Sequence, residues 1–260
     1  MKVISFNANG IRSAAKKGFF SWLAEQDADF VCIQETKAQV HQLEAEAHFC
    51  PVGYFCEYVD AEKKGYSGVA IYARKKPINI ITQLDFATSD NEGRYVQFDY
   101  ADLSVVSLYL PSGTSGDERQ AVKMDFLERF TERLIALKSG GREVILCGDY
   151  NIAHKPIDLK NWRANQKHSG FLPEERAWLD HLFGELGFVD AFRVVNQDSE
   201  QYTWWSHRGR AREKNVGWRI DYQVVTPGLG PRVCGAAIET GHYFSDHAPL
   251  TIEYSETVND

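Results

Sequence analysis

Short apolar runs, rich in β-branched and aromatic residues, recur along the whole chain. Runs of this kind are typical of buried strands when turn residues separate them. They predict strands at residues 2–7, 30–34, 68–72, 95–100, 104–109, 144–147, 221–225 and 250–254. The residues around Asp102, between two of these strands, predict the turn of a hairpin. A chain with this many short buried strands needs other elements to cover them.

Amphipathic segments alternate with the predicted strands. The longest, residues 118–138, has apolar residues at spacings of four and three, which gives a helix one apolar face. That face consists of Val122, Phe126, Phe130, Leu134 and Leu137. Ser115 and Glu118 have the spacing of a capping box, and residues 11–26 and 173–186 predict two more helices. Together these segments predict an α/β protein with mixed sheets covered by helices.

Composition and length are those of an ordinary globular protein. The 260 residues are 43% hydrophobic and 25% charged, which suits a substantial core rather than disorder. No long Pro/Gly/Ser linker or short-period repeat divides the chain, so we expect a single domain over residues 1–260. No apolar run is long enough to cross a membrane, and the N terminus lacks a secretory apolar region. These features predict a cytoplasmic protein with no membrane partner.

The five cysteines are odd in number and form no CxxC pair. Cys32 and Cys147 lie inside strand-like apolar runs. This pattern favours buried, reduced thiols over a disulfide or zinc framework.

Charge is segregated along the chain, although the formal net charge is −7. Residues 204–219 carry five basic side chains and one acidic one, and residues 154–168 carry four basic ones and one acidic one. Residues 82–102 carry five acidic side chains against one arginine. The net charge argues against general polyanion binding, but this distribution predicts one face suited to an anionic partner.

Polar side chains interrupt several predicted strands at their ends. Asp149 and Asn151 follow the apolar run VILCG, and Asn7 with Asn9 repeats that spacing after VISF. Because successive strand residues point to opposite faces, residues two apart project the same way. Carboxylate or imidazole side chains also mark other strand ends; they are Glu35, Asp221, Asp246 and His247. The ends of neighbouring strands lie close together in a twisted sheet, so we expect these groups to share one cleft.

A cluster of carboxylates would repel itself unless a cation, a protonated histidine or raised pKa values offset the repulsion. Oxygen ligands without a Cys and His framework select a hard ion such as Mg²⁺, which keeps water and substrate phosphate in its other positions. Such a metal can neutralise a scissile phosphate while a carboxylate and amide pair positions the attacking water. A nearby carboxylate can keep His247 protonated, so that it donates to a phosphoryl oxygen. The pattern predicts metal-dependent phosphate chemistry.

Each of these groups also has a purely structural interpretation. Local turns would account for the pair Asp149 with Asn151 and for the pair Asn7 with Asn9. A helix start, a local cap and core packing, respectively, would account for Glu35, for Asp246 with His247, and for Tyr109. One shared phosphate site accounts for all of them together, and this joint pattern favours catalysis.

Short motifs occur along the chain in a fixed order; they are FNANGIR, IQETK, YSGVAIYAR, LYLPSG, GDYNIAH, YTWW, WRIDY and SDHAPL. In this order they resemble the exonuclease III type apurinic/apyrimidinic (AP) endonucleases from residue 3 to about residue 254. The resemblance implies the four-layer α/β sandwich of the DNase I-like superfamily, in which two packed mixed β-sheets are flanked by helices. It also implies hydrolysis, dependent on Mg²⁺ or alternatively Mn²⁺, of the phosphodiester 5′ to an abasic site.

The matching motifs imply roles for individual residues at the metal. Glu35 resembles the principal metal ligand, with Asn7 and Asn9 beside the metal. Asp246 resembles a further carboxylate at the metal site or behind it.

The same motifs imply a set of catalytic residues. Asp149 resembles the group that orients or deprotonates the attacking water, with Asn151 as its partner at the phosphate. Tyr109 and His247 resemble phosphate-contacting groups, and Asp221 resembles the carboxylate paired with that imidazole.

The family's substrate contacts also have matches in this chain. Trp204, Trp218 and Ile220 match positions that wall a small apolar pocket for a flipped-out, baseless deoxyribose. Core packing is the alternative for Trp204, and for Trp205 it is the favoured interpretation. Basic side chains would contact phosphates of the duplex without reading its sequence. These are Arg208, Arg210, Arg212, Lys160, Arg163, Lys16 and Lys17.

The implied partner is double-stranded DNA containing abasic sites or blocked 3′ ends, and nothing requires more than a monomer. The balance among AP incision, 3′ phosphodiesterase or 3′ phosphatase trimming and 3′–5′ exonuclease activity stays open.

Two rival functions belong to the same fold. The segment DLKNWRANQKHSGFLPEERAWLD also resembles the catabolite repression control protein, a non-catalytic regulator in RNA-bound assemblies that lacks the nuclease site. The presence of Glu35, Asp149 and His247 favours the enzyme. A phosphodiesterase acting on lipid or inositol phosphates is a further alternative, and the basic, tryptophan-rich segment around residue 204 favours DNA over it.

Overall fold

The computed structural model describes residues 1–255, so the last five residues of the predicted domain lie outside the described part. Its strands, in chain order, are β1 (Lys2–Asn7), β2 (Phe30–Gln34), β3 (Phe55–Val59), β4 (Val69–Ala73), β5 (Asn79–Ile81), β6 (Tyr95–Asp99), β7 (Leu103–Tyr109), β8 (Glu143–Asp149), β9 (Val189–Asp190), β10 (Trp204–Trp205), β11 (Gly217–Trp218), β12 (Asp221–Val225), β13 (Val233–Ile238) and β14 (Leu250–Tyr254). Its α-helices are α1 (Ile11–Lys16), α2 (Phe19–Ala24), α3 (Val40–Glu44), α4 (Ala87–Asp90), α5 (Asp117–Ser139), α6 (Trp162–Asn165), α7 (Pro173–Phe183) and α8 (Ala191–Val195).

Within the described residues, the strands form two six-stranded sheets and one small hairpin-like pair. The first sheet has the order β13-β14-β1-β2-β4-β3, and the second has the order β5-β6-β7-β8-β12-β9. Each contains one parallel pair, β1 with β2 and β7 with β8, while the remaining neighbours are antiparallel. The predicted mixed sheets and the turn at Asp102 are therefore confirmed.

The two sheets pack face to face, and helices cover their outer faces. In β1, Val3 lies in the core between the sheets, whereas Ile4 lies in the outer core beside α1 and α2. This two-residue alternation is the one expected for a strand buried on both sides. On the other side, α5 and α7 cover the second sheet through residues such as Phe130 and Leu179. The predicted four-layer α/β sandwich is confirmed.

Two buried amides connect the sheets across this core. Gln34 Nε2 donates to Ser107 Oγ at 3.0 Å, and Gln223 Nε2 donates to the Val3 carbonyl at 2.9 Å. Buried polar groups need such partners, because an unpaired donor would lose its hydrogen bond to water without replacement. These bonds favour one alignment of the sheets, and that alignment sets which strand ends meet.

Several predicted element boundaries are wrong. The helix predicted at 11–26 is two short helices, because Gly18, with φ of 89°, interrupts it. The long helix begins after Gly116 without a side-chain cap, so Ser115 does not form the predicted capping box. The helix predicted at 173–186 ends at Phe183.

The sequence patterns also missed strands β3, β5, β9, β10, β11 and β13. Of these, β3, β5, β9 and β13 lie at sheet edges and are only partly buried, and β10 and β11 form a separate pair of two-residue strands. Edge strands need fewer apolar residues than central ones, so their sequence signal is weak.

All five cysteines are free. Cys32 and Cys147 are buried as predicted, but Cys50 and Cys234 are exposed, which corrects the expectation of buried thiols throughout. Among residues 1–255, no helix is both long and apolar enough to cross a membrane.

Candidate active site

The predicted polar strand ends meet at one edge of the sandwich, where a cleft of about 300 Å³ opens. It is lined by Asn9, Glu35, Lys37, Tyr109, Ser112, Thr114, Asp149, Asn151, Ser169, Gly170, Trp204, Trp218, Ile220, Asp246 and His247. Asp149 and Asp221 are directly opposite each other in the register of β8 and β12. Residues from both sheets therefore line or support a single cleft.

A histidine lies between two buried carboxylates in this cleft. His247 Nδ1 is 2.9 Å from Asp221 Oδ2, and His247 Nε2 is 3.9 Å from Asp149 Oδ2. Burial alone would lower the pKa of His247, but Asp221 and then Asp149 outweigh it and raise the pKa to about 10. The imidazole is therefore charged at neutral pH and can donate a hydrogen bond from Nε2.

The amide of Asn7 separates the carboxylates of Glu35 and Asp149. Asn7 Nδ2 donates to Glu35 Oε1 at 2.9 Å and to Asp149 Oδ2 at 2.8 Å. The Asn7 side-chain oxygen accepts the Asn9 N–H at 2.9 Å. This oxygen already accepts one hydrogen bond, and the amide nitrogen lies between the two carboxylates; the role of Asn7 as a metal ligand stays a prediction.

Asn9 and Asp246 are hydrogen-bonded to each other, and Asp246 lies next to Trp204. Asn9 Nδ2 donates to Asp246 Oδ1 at 2.8 Å, and Trp204 Nε1 donates to Asp246 Oδ2 at 3.1 Å. The side-chain oxygen of Asn9 accepts a hydrogen bond from Lys37. These bonds hold Asn9 and Asp246 in place at the cleft, and their contact with a metal stays a prediction.

Glu35, Asp149 and His247 form the one group of acidic, histidine and cysteine side chains in the described part of the chain that can hold a metal ion. One ligand atom from each lies within 4.8 Å of the other two. A further acceptor, Asp221 Oδ1, is buried without a hydrogen-bond partner. Carboxylate oxygens suit a hard divalent cation, so the residues present fit one.

Burial and neighbouring charges shift the pKa values of two carboxylates in the cleft. Burial, followed by the charge of Asp221, raises the pKa of Asp149 to about 7, although His247 opposes this rise. Burial would also raise the pKa of Glu35, but Lys37 and Asn7 outweigh it and lower the pKa. Two carboxylates a few ångströms apart thus differ in proton affinity, as an acid and base pair requires.

Tyr109 ends strand β7 and its phenol faces the carboxylates. Burial and the nearby charge of Glu35 raise the pKa of Tyr109 well above its usual value, so the phenol keeps its proton. The guanidinium of Arg94 stacks over the ring at 4.7 Å and Nη1 donates to the Tyr109 carbonyl at 2.9 Å. Arg94 therefore holds the Tyr109 ring in place, and the Tyr109 hydroxyl lies close to Glu35.

Asn151 follows Asp149 in a tight turn. Its N–H donates to Asp149 Oδ1 at 2.8 Å, and its Nδ2 donates to the Leu110 carbonyl at 2.9 Å. The Asx-turn interpretation is therefore also correct, because the turn is what carries Asn151 to the cleft wall.

An aromatic wall stands beside the carboxylates. Trp204 and Trp218 oppose each other in β10 and β11, with ring centroids 6.4 Å apart in an edge-to-face arrangement. Ile220 is buried next to them. Trp205 points instead into a separate core with Tyr202 and is 3% exposed, as the core interpretation predicted.

The sequence of this chain matches a known protein family. The model of the Endonuclease/Exonuclease/phosphatase family matches residues 4–247. This chain belongs to that family.

Several known proteins are similar to this chain over nearly its whole length. An exodeoxyribonuclease of Bacillus subtilis is 40% identical over 254 residues, covering 97% of this chain and 98% of the relative. DNA repair nuclease APEX1 of Danio rerio is 37% identical, covering 97% of this chain and 81% of the relative. The structure of an AP endonuclease from Archaeoglobus fulgidus aligns with a TM-score of 0.87 at 30% identity, covering 98% of this chain and 100% of that one. The resemblance drawn from the motifs is confirmed.

The basic residues predicted to contact phosphates differ in their surroundings. Arg208 is exposed, Arg210 is exposed and pairs with Glu213 at 3.4 Å, Lys160 pairs with Glu200, and Arg163 lies over the Trp162 ring. Their contacts with phosphates stay a prediction.

Arg212 differs from the other basic residues. Its guanidinium donates to the Ser245 and His242 carbonyls at 3.0 and 2.7 Å and stacks on Trp205 and Tyr243. Arg212 thereby holds the loop before Asp246, and its predicted phosphate contact stays a prediction.

Sequence reasoning missed five residues that line the cleft; they are Lys37, Ser112, Thr114, Ser169 and Gly170. Lys37 Nζ lies 2.7 Å from Glu35 Oε2, and its spacing of two from Glu35 is the signal that could have revealed it. The other four lie in loops, where no periodicity marks an inward-facing residue.

Proposed function

We propose that this protein is a Mg²⁺-dependent endonuclease that hydrolyses the phosphodiester 5′ to an abasic site in duplex DNA, leaving a 3′ hydroxyl and a 5′ deoxyribose phosphate. The observation that carries the proposal is the aromatic pocket of Trp204, Trp218 and Ile220 directly beside the carboxylates and the charged imidazole. The names of the relatives, which include DNA repair and AP endonucleases, support it.

In this proposal each residue of the cleft has a distinct task. Asp149, whose pKa is near neutrality, accepts a proton at Oδ2 from the attacking water. His247, held by Asp221, donates a hydrogen bond from Nε2 to a phosphoryl oxygen, and Tyr109 donates a hydrogen bond from its hydroxyl to the same phosphate. Asn151 positions the phosphate next to Asp149.

Glu35 would be the principal ligand of the divalent ion, with Asn7 beside it and the Asp149 carboxylate nearby to activate the water. The chemistry that Mg²⁺ would supply there is neutralisation of charge on the phosphate and its leaving oxygen. Mn²⁺ offers the same oxygen preference and is the second metal to test.

The pocket selects the substrate by size. A baseless sugar fits against Trp218 and Ile220, whereas a nucleotide that keeps its base is too large for the same space. Extruding an unpaired sugar also costs less than flipping a paired nucleotide. Arg208, Arg210, Lys160 and Arg163 would hold the flanking phosphates of the duplex.

A single gel tests this proposal. A labelled duplex with one tetrahydrofuran abasic analogue is incubated with the protein in Mg²⁺, in Mn²⁺ and in EDTA, next to an intact duplex. We expect one cut 5′ to the analogue that EDTA abolishes. Uncut substrate with micromolar enzyme and Mg²⁺ would reject the endonuclease.

The relative from B. subtilis, an exodeoxyribonuclease, favours 3′–5′ exonuclease action as a second activity of the same site. On the intact duplex it would appear as a ladder of products shortened from the 3′ end. Duplexes ending in a 3′ phosphate or 3′ phosphoglycolate test the trimming activities in the same assay.

The comparisons do not support the RNA-associated regulator, since the relatives are nucleases and the cleft retains its carboxylates and imidazole. We propose a monomer as the working unit, because one chain supplies the whole cleft. Sedimentation equilibrium in the presence of substrate duplex would measure this directly.

A further inference from the structure

A buried ion pair lies behind the cleft, and neither of its residues lines the cleft. Lys123 on α5 and Glu175 on α7 are both 0% exposed, and Lys123 Nζ is 2.6 Å from Glu175 Oε1. Removing two charges from water is costly, and an apolar pair of similar volume is often equally or more stable. The stability of the fold alone therefore does not account for the two charges.

Lys123 reaches the turn that carries the proposed catalytic residues. Its Nζ donates to the Asn151 carbonyl at 2.8 Å. Asn151 itself has φ of 52°, a backbone conformation that needs support in a residue other than glycine. Lys123 thus holds the carbonyl of Asn151 in this strained turn, and the Asn151 side chain faces the cleft.

Glu175 reaches the loop on the opposite side of the pocket. Its Oε2 accepts the N–H groups of Gly170 and Leu172 at 2.7 and 3.0 Å. Its Oε1, besides Lys123, accepts Ser169 Oγ at 3.2 Å. One carboxylate therefore holds the whole segment 169–172 in place.

Gly170 is the point where the two held segments and the aromatic wall meet. Its carbonyl accepts the Ala153 N–H at 2.8 Å. A Cβ on Gly170 would lie 3.1 Å from the Trp218 ring and 3.2 Å from the Asn151 carbonyl. Because there is so little spare room, a shift of the 169–172 segment would move both Trp218 and the turn at Asn151.

We propose that Lys123 and Glu175 are positioning residues that set the distance between the proposed catalytic turn and the aromatic pocket. This inference rests on the proposed function. Neither side chain reaches the cleft, so both act through the backbone of Asn151 and of Gly170. The pair therefore fixes the position of the Asn151 turn, next to which the phosphate would be attacked, relative to the pocket that would hold the baseless sugar.

The test uses a double variant, Lys123→Met with Glu175→Gln, which leaves no unpaired buried charge. Lys138→Met is the matched control, because Lys138 lies on the same helix and also donates from Nζ to a backbone carbonyl, that of Leu186, outside the cleft. Glu175→Asp, which keeps the charge but shortens its reach, replaces the double variant if the latter does not fold by circular dichroism.

We expect the double variant to lose roughly 10- to 100-fold in kcat on the abasic duplex, with a smaller change in KM, because the catalytic turn is misplaced rather than lost. Its preference for abasic over intact duplex should fall, and hydrogen exchange at the Gly170 and Leu172 amides should accelerate. Lys138→Met should match the parent in all three measurements.

A kcat within about twofold of the parent, with unchanged exchange at these amides, would overturn the inference. Faster exchange with unchanged kcat and unchanged preference would overturn it too, since the pair would then be merely structural. If the parent itself fails to cut the abasic duplex in Mg²⁺, the proposed function is at fault. The exchange measurement then decides by itself whether the pair holds the 169–172 segment.

Discussion

At the scale of single residues, the cleft is built on backbone conformations that most side chains avoid. Asn9, Glu35, Lys37 and Asn151 all have positive φ, at 41, 49, 49 and 52°. Such conformations are uncommon outside glycine and tend to collect at functional sites. Here they lie within three residues of the end of β1, β2 or β8, and each places a polar side chain at the cleft.

Asp149 offers the sharpest test at this scale. Asp149→Asn keeps the shape and the bond to the Asn151 N–H but removes the proton acceptor at Oδ2. We expect kcat on an abasic duplex to fall by about 10²- to 10⁴-fold, while the Kd for the same duplex, measured by fluorescence anisotropy in Ca²⁺, changes little. Asp125→Asn, at an exposed pair on α5, serves as the control. Near-normal turnover in Asp149→Asn would assign the base to another group.

At the scale of elements, one short segment serves both the pocket and the core. Trp218 and Ile220 face the cleft, whereas Arg219 between them points the other way and is 1% exposed. Arg219 Nε donates to Asp158 Oδ1 at 2.8 Å, and Nη2 donates to Asp190 Oδ2 at 2.7 Å. Alternation of side chains along extended backbone thus fixes the pocket wall from the side opposite the ligand.

The buried pair of Asp158 and Arg219 predicts a defined acid sensitivity. Burial opposes ionisation of Asp158, but Arg219 and Arg193 outweigh it and lower its pKa to about 2 from 3.8. A lowered folded-state pKa means that the stabilisation is present above pH 4 and is lost as the pH falls towards 2. It amounts to roughly 2 kcal/mol, at about 1.4 kcal/mol for each pKa unit.

Urea unfolding at pH 5 and pH 3 measures this effect. The parent should lose more free energy of unfolding between these values than Asp158→Asn, which lacks the titrating group. Asp125→Asn should keep the parent's pH dependence, because its carboxylate is exposed. Equal pH dependence in the parent and Asp158→Asn would show that the pair does not couple to folding.

At the scale of the whole molecule, the site exists only when both sheets are packed. Asn7 and Glu35 come from the first sheet, Asp149 and Asp221 from the second, and His247 precedes β14. Folding therefore brings like charges together from distant parts of the chain, and their repulsion opposes the packing that creates the site. A bound cation would relieve that repulsion in the folded state alone.

Divalent metal should accordingly stabilise the whole fold. We expect millimolar Mg²⁺ to raise the Tm by about 2 °C or more, since a ligand that binds only the folded state stabilises it. Glu35→Gln should reduce this rise strongly, whereas Glu128→Gln, an exposed residue on α5, should not. If Mg²⁺ leaves the Tm of the parent unchanged, the prediction that the metal binds at this cleft is wrong.

Local sequence patterns were sufficient for the central strands, the long helix and the polar strand ends. A buried central strand needs apolar residues on both faces, and a covering helix needs one apolar face, so both leave a periodic signal. The same periodicity placed Asp149 and Asn151 on one side. It failed at the edge strands β3, β5, β9 and β13 and at the short pair β10 and β11, where the burial pattern is weak. It also failed at Gly18, where the predicted helix is interrupted.

Which atoms meet was settled only by packing. Asn7 bonds to Asp149 across 142 residues of sequence, and no local pattern reports that its amide nitrogen rather than its oxygen faces the carboxylates. Arg212 bonds to backbone carbonyls, and the Lys123 and Glu175 pair emerges only where α5 and α7 pack behind the cleft. Periodicity records which face of an element is buried, but the partner on that face depends on how the two sheets and their helices close around the shared core.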